Sequence, residues 1–296
     1  MSNSTRCGYV GIIGRPNVGK STLLNYILDY KLSITSNKPQ TTRQQIIGVF
    51  TENLVQMVFV DTPGIHKNAK KALNNYMNRS ALAVLDSVDV LIWLIEAGRW
   101  TEEEDWILSK LKSIETPIIL AVNKIDKIKD KQLLLPFLQE VTKKYAFAEI
   151  VPISASLGKQ IDALKTVITQ LLPEQPYFYD ENFLTTSKQN FLVAEYIREK
   201  LMKNLGQELP YGTTVTIDAF ADDGDLVRIA AVIWVERKQH KAMVIGKQGQ
   251  KLKEIGIASR KALEHYFEKK VFVKLWVKVK ENWSDDAGSL AKFGYE

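Results

Sequence analysis

Residues Gly14–Ser21 read GRPNVGKS, between the β-branched run YVGII (9–13) and the helical-period run TLLNYIL (22–28). The pattern G-x-x-x-x-G-K-[ST] at a strand-to-helix turn is a phosphate cradle. Its glycines let backbone N–H groups turn inward, a lysine neutralises β- and γ-oxygens, and a hydroxyl at the helix N-terminus is placed to ligate Mg²⁺. The candidate nucleotide-binding residues here are Gly14, Asn17, Val18, Gly19, Lys20, Ser21 and Thr22.

Outward from this turn, MVFV, VLIWLI, PIILAV and EIVPIS alternate with longer segments of helical period such as EEEDWILSKLKSI. That alternation predicts a doubly wound, mostly parallel sheet wrapped by helices, and the nearly continuous apolar runs suit strands buried on both faces. Pro173 and Pro176 in LLPEQPYFYDEN break the pattern, which sets domain boundaries at 1–173, a linker at 174–186 and a second domain at 187–296. In the second domain the expected order is helix (188–204), strands (213–221 and 226–235), helices (239–245 and 250–268) and strand (271–280). This is an α+β module, and ADDGD between its first two strands supplies hairpin residues.

Composition bounds the class. The chain has 296 residues, 45% hydrophobic and 25% charged, enough for two globular cores. A single cysteine, Cys7, and no evident leader or long apolar run give the expectation of a reduced, cytoplasmic location. Net charge is +6, yet residues 237–280 alone hold thirteen Lys or Arg against three Glu, so the basicity is concentrated where a polyanion could bind.

Further motifs lie at expected strand ends. Asp61-Thr-Pro-Gly64 follows MVFV. A carboxylate there can hold Mg²⁺, and the Gly64 N–H can report a γ-phosphate. Pro39-Gln-Thr41-Thr42-Arg43 forms a polar loop whose threonine would complete the Mg²⁺ shell; two adjacent threonines leave the register open, and Thr42 is preferred. Asn123-Lys124-Ile125-Asp126 follows PIILAV. An ionised Asp126 accepts from both the ring N–H and the exocyclic amine of guanine, a donor pair adenine lacks, while Asn123 and Lys124 shape the pocket. Ser154-Ala155-Ser156 ends EIVPI, where a backbone N–H could meet guanine O6. The catalytic candidates are Lys20, Thr42, Asp61 and Gly64, and the metal candidates Ser21, Thr42 and Asp61.

In the second domain Ile245-Gly246-Lys247-Gln248-Gly249 joins two expected helices. A GxxG turn brings backbone close to a nucleic acid, and Lys241, Lys247, Lys251 and Lys253 surround it. Trp234, Trp276, Phe220 and Tyr266 fall in alternating or helical registers and are expected to pack in the core, and Trp283 to close the domain. His66, His240 and His265 lack metal-ligand spacing, and His66 is expected in a solvated loop.

The ordered set GRPNVGKS, PQTTR, DTPG, NKID and SAS, followed by a module that looks like a type II KH domain, resembles the Era-type GTPases over nearly the whole chain. The resemblance implies a Ras-like G domain, slow GTP hydrolysis with Mg²⁺, and a KH domain binding 16S ribosomal RNA near its 3′ end in assembly of the 30S subunit. It implies GTP and GDP as ligands and no DNA partner. It also implies peripheral contact with the inner face of the cell membrane, and an Asn17 matching an asparagine that recruits potassium. Ile65 stands where Ras-like proteins carry a water-orienting glutamine. A P-loop ATPase or kinase is opposed by NKID; a constitutive RNA-binding scaffold with negligible turnover remains a rival because of Ile65.

Overall fold

The computed structural model describes residues 4–65, 67, 71–206 and 209–295, so His66 lies outside the described residues. The chain divides into two units: Met1–Thr35, Pro39–Ala69 and Met77–Thr186, and Ser36–Lys38, Lys70–Tyr76 and Ser187–Glu296.

The first unit is built on β1 (Arg6–Ile13), α1 (Lys20–Leu28), β2 (Ile46–Glu52), β3 (Val55–Asp61), α2 (Ala72–Leu82, whose first residues belong to the second unit), β4 (Val90–Glu96), α3 (Glu102–Leu111), β5 (Ile118–Asn123), α4 (Leu134–Thr142), β6 (Glu149–Pro152) and α5 (Ile161–Leu171). The sheet order is β2-β3-β1-β4-β5-β6, with β2 antiparallel to β3 and the other pairs parallel. A sheet covered by crossover helices must bury both faces, and β4 shows the result: all of Val90–Ile95 is buried. Thr101 and Glu104 form a capping box that fixes where α3 begins. Because the parallel strands point one way, the loops after β1, β3, β5 and β6 gather at one edge, the crevice where open α/β sheets bind ligands. In the β1–β3 ladder Ile12 pairs with Asp61, so the phosphate-type turn and the DTPG turn leave the sheet side by side.

Residues 174–186, expected as a linker, are bound to this sheet. Arg6 bridges to Glu174 and Gly48 to Thr185, and Phe178 stacks on Tyr9 with centroids 5.2 Å apart. Gln56, buried within β3, accepts from the Phe178 and Tyr179 N–H groups at 2.9 and 3.0 Å and donates to the Tyr179 carbonyl at 2.8 Å. A buried amide with partners on every side is tolerated in a core strand.

The second unit contains α6 (Gln189–Asn204), β7 (Thr213–Asp222), β8 (Leu226–Val235), α7 (Lys238–Ile245), α8 (Gln250–Phe267), β9 (Lys270–Val279) and α9 (Ala287–Lys292). These spans lie within a residue or two of those expected, and α9 is an element the sequence reading did not identify. The three-stranded sheet runs β7-β8-β9, with β7–β8 antiparallel, β8–β9 parallel and a bulge between Ile217 and Ala219. Ile197 and Leu201 of α6, Ile255 and Leu263 of α8, and Ile229 and Ile233 of β8 share one core on a single face of this sheet. Trp283 is fully buried and donates to the Gly212 carbonyl at 3.1 Å, which closes the domain as expected. No helix among the described residues is long and apolar enough to cross a membrane.

Candidate functional site

Lys20 opens α1, so its amine stands at a helix N-terminus whose first turn holds no acidic residue. Its Nζ donates to the Gly14 and Arg15 carbonyls at 3.0 and 2.9 Å, which folds the loop back over the helix start. Gly19 has φ of 111°, and a Cβ there would meet the Asn123 amide at 2.3 Å, so the position excludes any side chain. Burial pushes the Lys20 amine down to about 8; Asp61 opposes that shift and the nearby Arg15 charge adds to it.

A lysine whose pKa falls on folding costs stability where it must stay protonated, below about pH 8. The cost fades as pH climbs toward the unfolded value of 10.5. A polyphosphate beside the amine restores the ammonium form. Nucleotide binding at pH 8 should therefore take up about half a proton and at pH 6.5 almost none, and affinity should weaken as pH rises above 8. Calorimetry in buffers of different ionisation enthalpy measures this; zero uptake at pH 8 contradicts it.

Asp61, wholly buried at the end of β3, is the centre of a hydroxyl cluster. Its Oδ2 accepts from Ser21 Oγ and Ser33 Oγ at 3.0 Å each and from Thr42 Oγ1 at 3.3 Å, and Ser21 Oγ lies 2.8 Å from Thr42 Oγ1. Its Oδ1 has no partner among the described residues. Burial raises the carboxyl above the usual range, against the pull of Lys20 and the three hydroxyls. One carboxylate with an unused oxygen and adjacent hydroxyls is an all-oxygen donor set that suits Mg²⁺. Thr42, rather than Thr41, stands in this cluster. Ser33 was missed: its stretch KLSITSN fits no motif, and it reaches Asp61 because Asn25 of α1 clamps its backbone, donating to the Ser33 carbonyl at 2.6 Å and accepting its N–H at 2.8 Å. The one signal was a polar Asn inside the otherwise apolar helix run.

Beyond Asp61, Thr62 Oγ1 donates to the Ile12 carbonyl at 2.7 Å, and Gly64 lies against Pro16 so closely that a Cβ would meet it at 2.7 Å. The Ile65 N–H donates to the Gly14 carbonyl at 3.2 Å, and its side chain is 1% exposed, packed in the core with Ala81 and Val84. Ile65 thus anchors the DTPG turn and presents nothing to a water. Arg15, also missed, is buried and pairs with Glu104, the capping residue of α3.

On the base side, Asn123 is buried and spans two loops: its Nδ2 donates to the Val18 carbonyl at 2.7 Å and its Oδ1 accepts the Ala155 N–H at 2.9 Å. The Ser154 N–H goes to the Lys159 carbonyl at 3.1 Å, so two of the three SAS amides are used within the protein. Lys124 reaches Glu96 at 3.0 Å. Asp126 is exposed and accepts from Ser154 Oγ, which aims one carboxylate edge inward and leaves the other outward. Thr22 is half-buried on the first turn of α1, and Asn17 is exposed with φ of 62°.

In the second unit α7 ends as Gly246 turns to φ 74°, its N–H donating to the Ala242 carbonyl at 2.8 Å. A Cβ on Gly246 would meet the Lys251 Cβ at 2.5 Å, so the turn is closed to side chains. Gln248 and Gly249 also have positive φ, 51° and 78°, before α8 begins. Lys247, Gln248 and Lys253 are exposed, while Lys241, Ile245 and Lys251 are half-buried around the turn. Phe220 and Tyr266 pack against the core as expected. Trp276 does not: it is 38% exposed, because its position on β9 alternates with the core-facing Val277. Among the described residues no cluster of His, Cys, Asp and Glu could hold a metal by itself.

Residues 9–124 match the family described as 50S ribosome-binding GTPase, and residues 208–284 match the KH domain family. The chain is 49% identical over 292 residues to GTPase Era of Coxiella burnetii strain Dugway 5J108-111, covering 99% of both. It is 50% identical over 291 residues to GTPase Era of Pseudomonas aeruginosa strain LESB58, covering 98% of this chain and 95% of that one. Among solved structures it is similar to Aquifex aeolicus Era bound to GDP·AlF4⁻, with TM-score 0.94, 38% identity and coverage of 98% and 99%. It is similar at the same identity and coverage, with TM-score 0.95, to Era in complex with MgGDPNP and nucleotides 1506–1542 of 16S ribosomal RNA.

Proposed function

The chain belongs to the Era family of GTPases, and from that membership we propose that it binds 16S ribosomal RNA near the 3′ end through its KH domain and assists 30S subunit assembly. The observation that carries this reading is full-length similarity to an Era solved with a 3′ fragment of that RNA.

The chain is a GTPase, with a Ras-like P-loop domain followed by a KH domain. Within that activity we assign Lys20, with the backbone of Gly14–Ser21 and Thr22, to holding the β- and γ-phosphates. Asp126, Lys124, Asn123, Ser154 and Ala155 form the guanine pocket. Ser21, Thr42 and Asp61 would hold Mg²⁺, which when bound would neutralise negative charge developing on the phosphates. Asp61 is kept ready by its three hydroxyls, and the Gly64 backbone, pressed on Pro16, is held next to the loop that cradles the γ-phosphate. With Ile65 buried, the attacking water is left to be oriented by backbone groups, an ion or a partner, which fits slow turnover. Asn17, exposed at the crest of the loop, is where a potassium ion would sit.

The RNA reading is tested at Gly246, with Ile245, Lys247, Gln248, Gly249, Lys241, Lys251 and Lys253 forming the remainder of the assigned surface. In Gly246→Asp the side chain enters a positive-φ position already closed by Lys251 and adds a negative charge beside phosphate. Affinity for a 16S 3′-terminal RNA should fall by about tenfold or more, with GTP binding retained. Unchanged RNA affinity in the folded variant refutes the assignment.

A further inference from the structure

The main core of the second unit's sheet lies on the face occupied by α6 and α8; on the opposite face Val232 of β8 is buried and Trp234 packs on Phe293 with ring centroids 5.3 Å apart, while β9 stays uncovered. The opposite face of β9 carries, at alternate positions, Lys270, Phe272, Lys274, Trp276 and Lys278, all exposed. Their ladder partners on β8 are Leu226, Arg228, Ala230, Val232 and Trp234, so neither strand places a carboxylate on this face. At the hairpin end Asp223 pairs with Arg228 at 2.8 Å and Asp222 with Lys269 at 2.9 Å, and other exposed acids about the sheet include Asp218 at the β7 bulge and Glu281 just after β9. Lys270, Lys274 and Lys278 make no ion pair among the described residues.

Lysines on an edge strand have a bland explanation, since charge there resists unwanted strand pairing. That explanation does not cover the aromatics. Phe272 is 53% and Trp276 38% exposed, although burying them would have been favourable by the area rule. Lys274 Nζ lies 4.8 Å from the Trp276 ring centroid and Lys278 Nζ 5.7 Å from that of Trp234, so cations already use the ring faces. Exposed rings between cations without ion-pair partners along an open edge strand form the platform on which single-stranded bases stack while phosphates meet lysines. Alternate residues stand about 6.8 Å apart along a strand, which puts Phe272 and Trp276 about 14 Å apart with Lys274 between them.

We infer that this open face is a second RNA contact, taking single-stranded RNA whose bases stack on Phe272 and Trp276 and whose phosphates lie beside Lys270, Lys274 and Lys278. It rests on the RNA-binding reading above and extends the footprint beyond the Gly246–Gly249 turn. Because β9 is the sheet's edge strand, no further strand bars an RNA from passing around that edge.

The full chain is titrated with single-stranded RNAs of about four nucleotides, the length a GxxG turn clamps, and of about twelve. The double variant Phe272→Thr/Trp276→Thr keeps strand preference at two exposed positions, and circular dichroism confirms its fold. Its affinity for the longer RNA should fall by about tenfold or more per ring removed, with the shorter RNA and GTP bound as before. Trp276→Phe should restore most of the loss, and Lys274→Ala/Lys278→Ala should flatten the salt dependence of the longer RNA alone. If Gly246→Asp weakens both RNAs while the double variant binds the longer one like the parent, the inference is overturned and the KH-turn reading stands. If Gly246→Asp weakens neither, the turn reading fails, and the platform is judged by the ring variants on the longer RNA. Loss of binding to phosphatidylglycerol vesicles with RNA affinity intact overturns it in favour of a lipid surface.

Discussion

Lys20→Ala leaves a folded protein whose GTP hydrolysis falls by about two to three orders of magnitude. The buried amine is bonded directly to the phosphate loop's carbonyls, at 3.0 and 2.9 Å, and its charge faces Asp61. Phosphoryl transfer depends almost wholly on positioning and charge neutralisation, and removing one such group typically costs several kcal/mol of transition-state stabilisation. Truncation also leaves the Gly14 and Arg15 carbonyls without that donor, so the loop should loosen and nucleotide affinity should fall as well. Single-turnover phosphate release at saturating GTP isolates the chemical step, and thermal melting checks the fold. A variant that melts like the parent and hydrolyses GTP at the parent rate removes Lys20 from the reaction.

Asp126→Asn moves the base preference from guanine toward xanthine. The carboxylate accepts from Ser154 Oγ on one oxygen, and an asparagine carbonyl can keep that bond, so the loop survives the change. What is lost is acceptance of the guanine N–H pair. Each bond to a charged group is worth about 1.5–3 kcal/mol, and the exposure of Asp126 argues for the lower end, so GTP affinity should drop by about a hundredfold. Xanthine offers a carbonyl where guanine has its amine, and the asparagine amide can donate to it. Competition binding of GTP against XTP reads the switch; full GTP affinity with no gain for XTP assigns the base pocket elsewhere.

Much of this was legible without coordinates because it is encoded locally. A run such as VLIWLI cannot leave the interior, and GRPNVGKS or NKID carries the residue types for its chemistry in consecutive positions, so spacing alone placed both at strand ends. The type II KH order was readable for the same reason: each helix and strand has its own period, and GKQG marks the turn between two of them.

Tertiary structure decided what depends on distance across the chain. Thr41 and Thr42 are equivalent in sequence, and only the packed loop sets Thr42 Oγ1 2.8 Å from Ser21 Oγ. Ser33 joins Asp61 through a clamp from Asn25, and Arg15 meets Glu104 across 89 positions. Trp276 obeys the same alternation as a core residue, and period two says that neighbours face opposite ways without saying which face a helix will cover. Packing α6 and α8 on the Val277 side settled that choice and left Trp276 in solvent, among lysines.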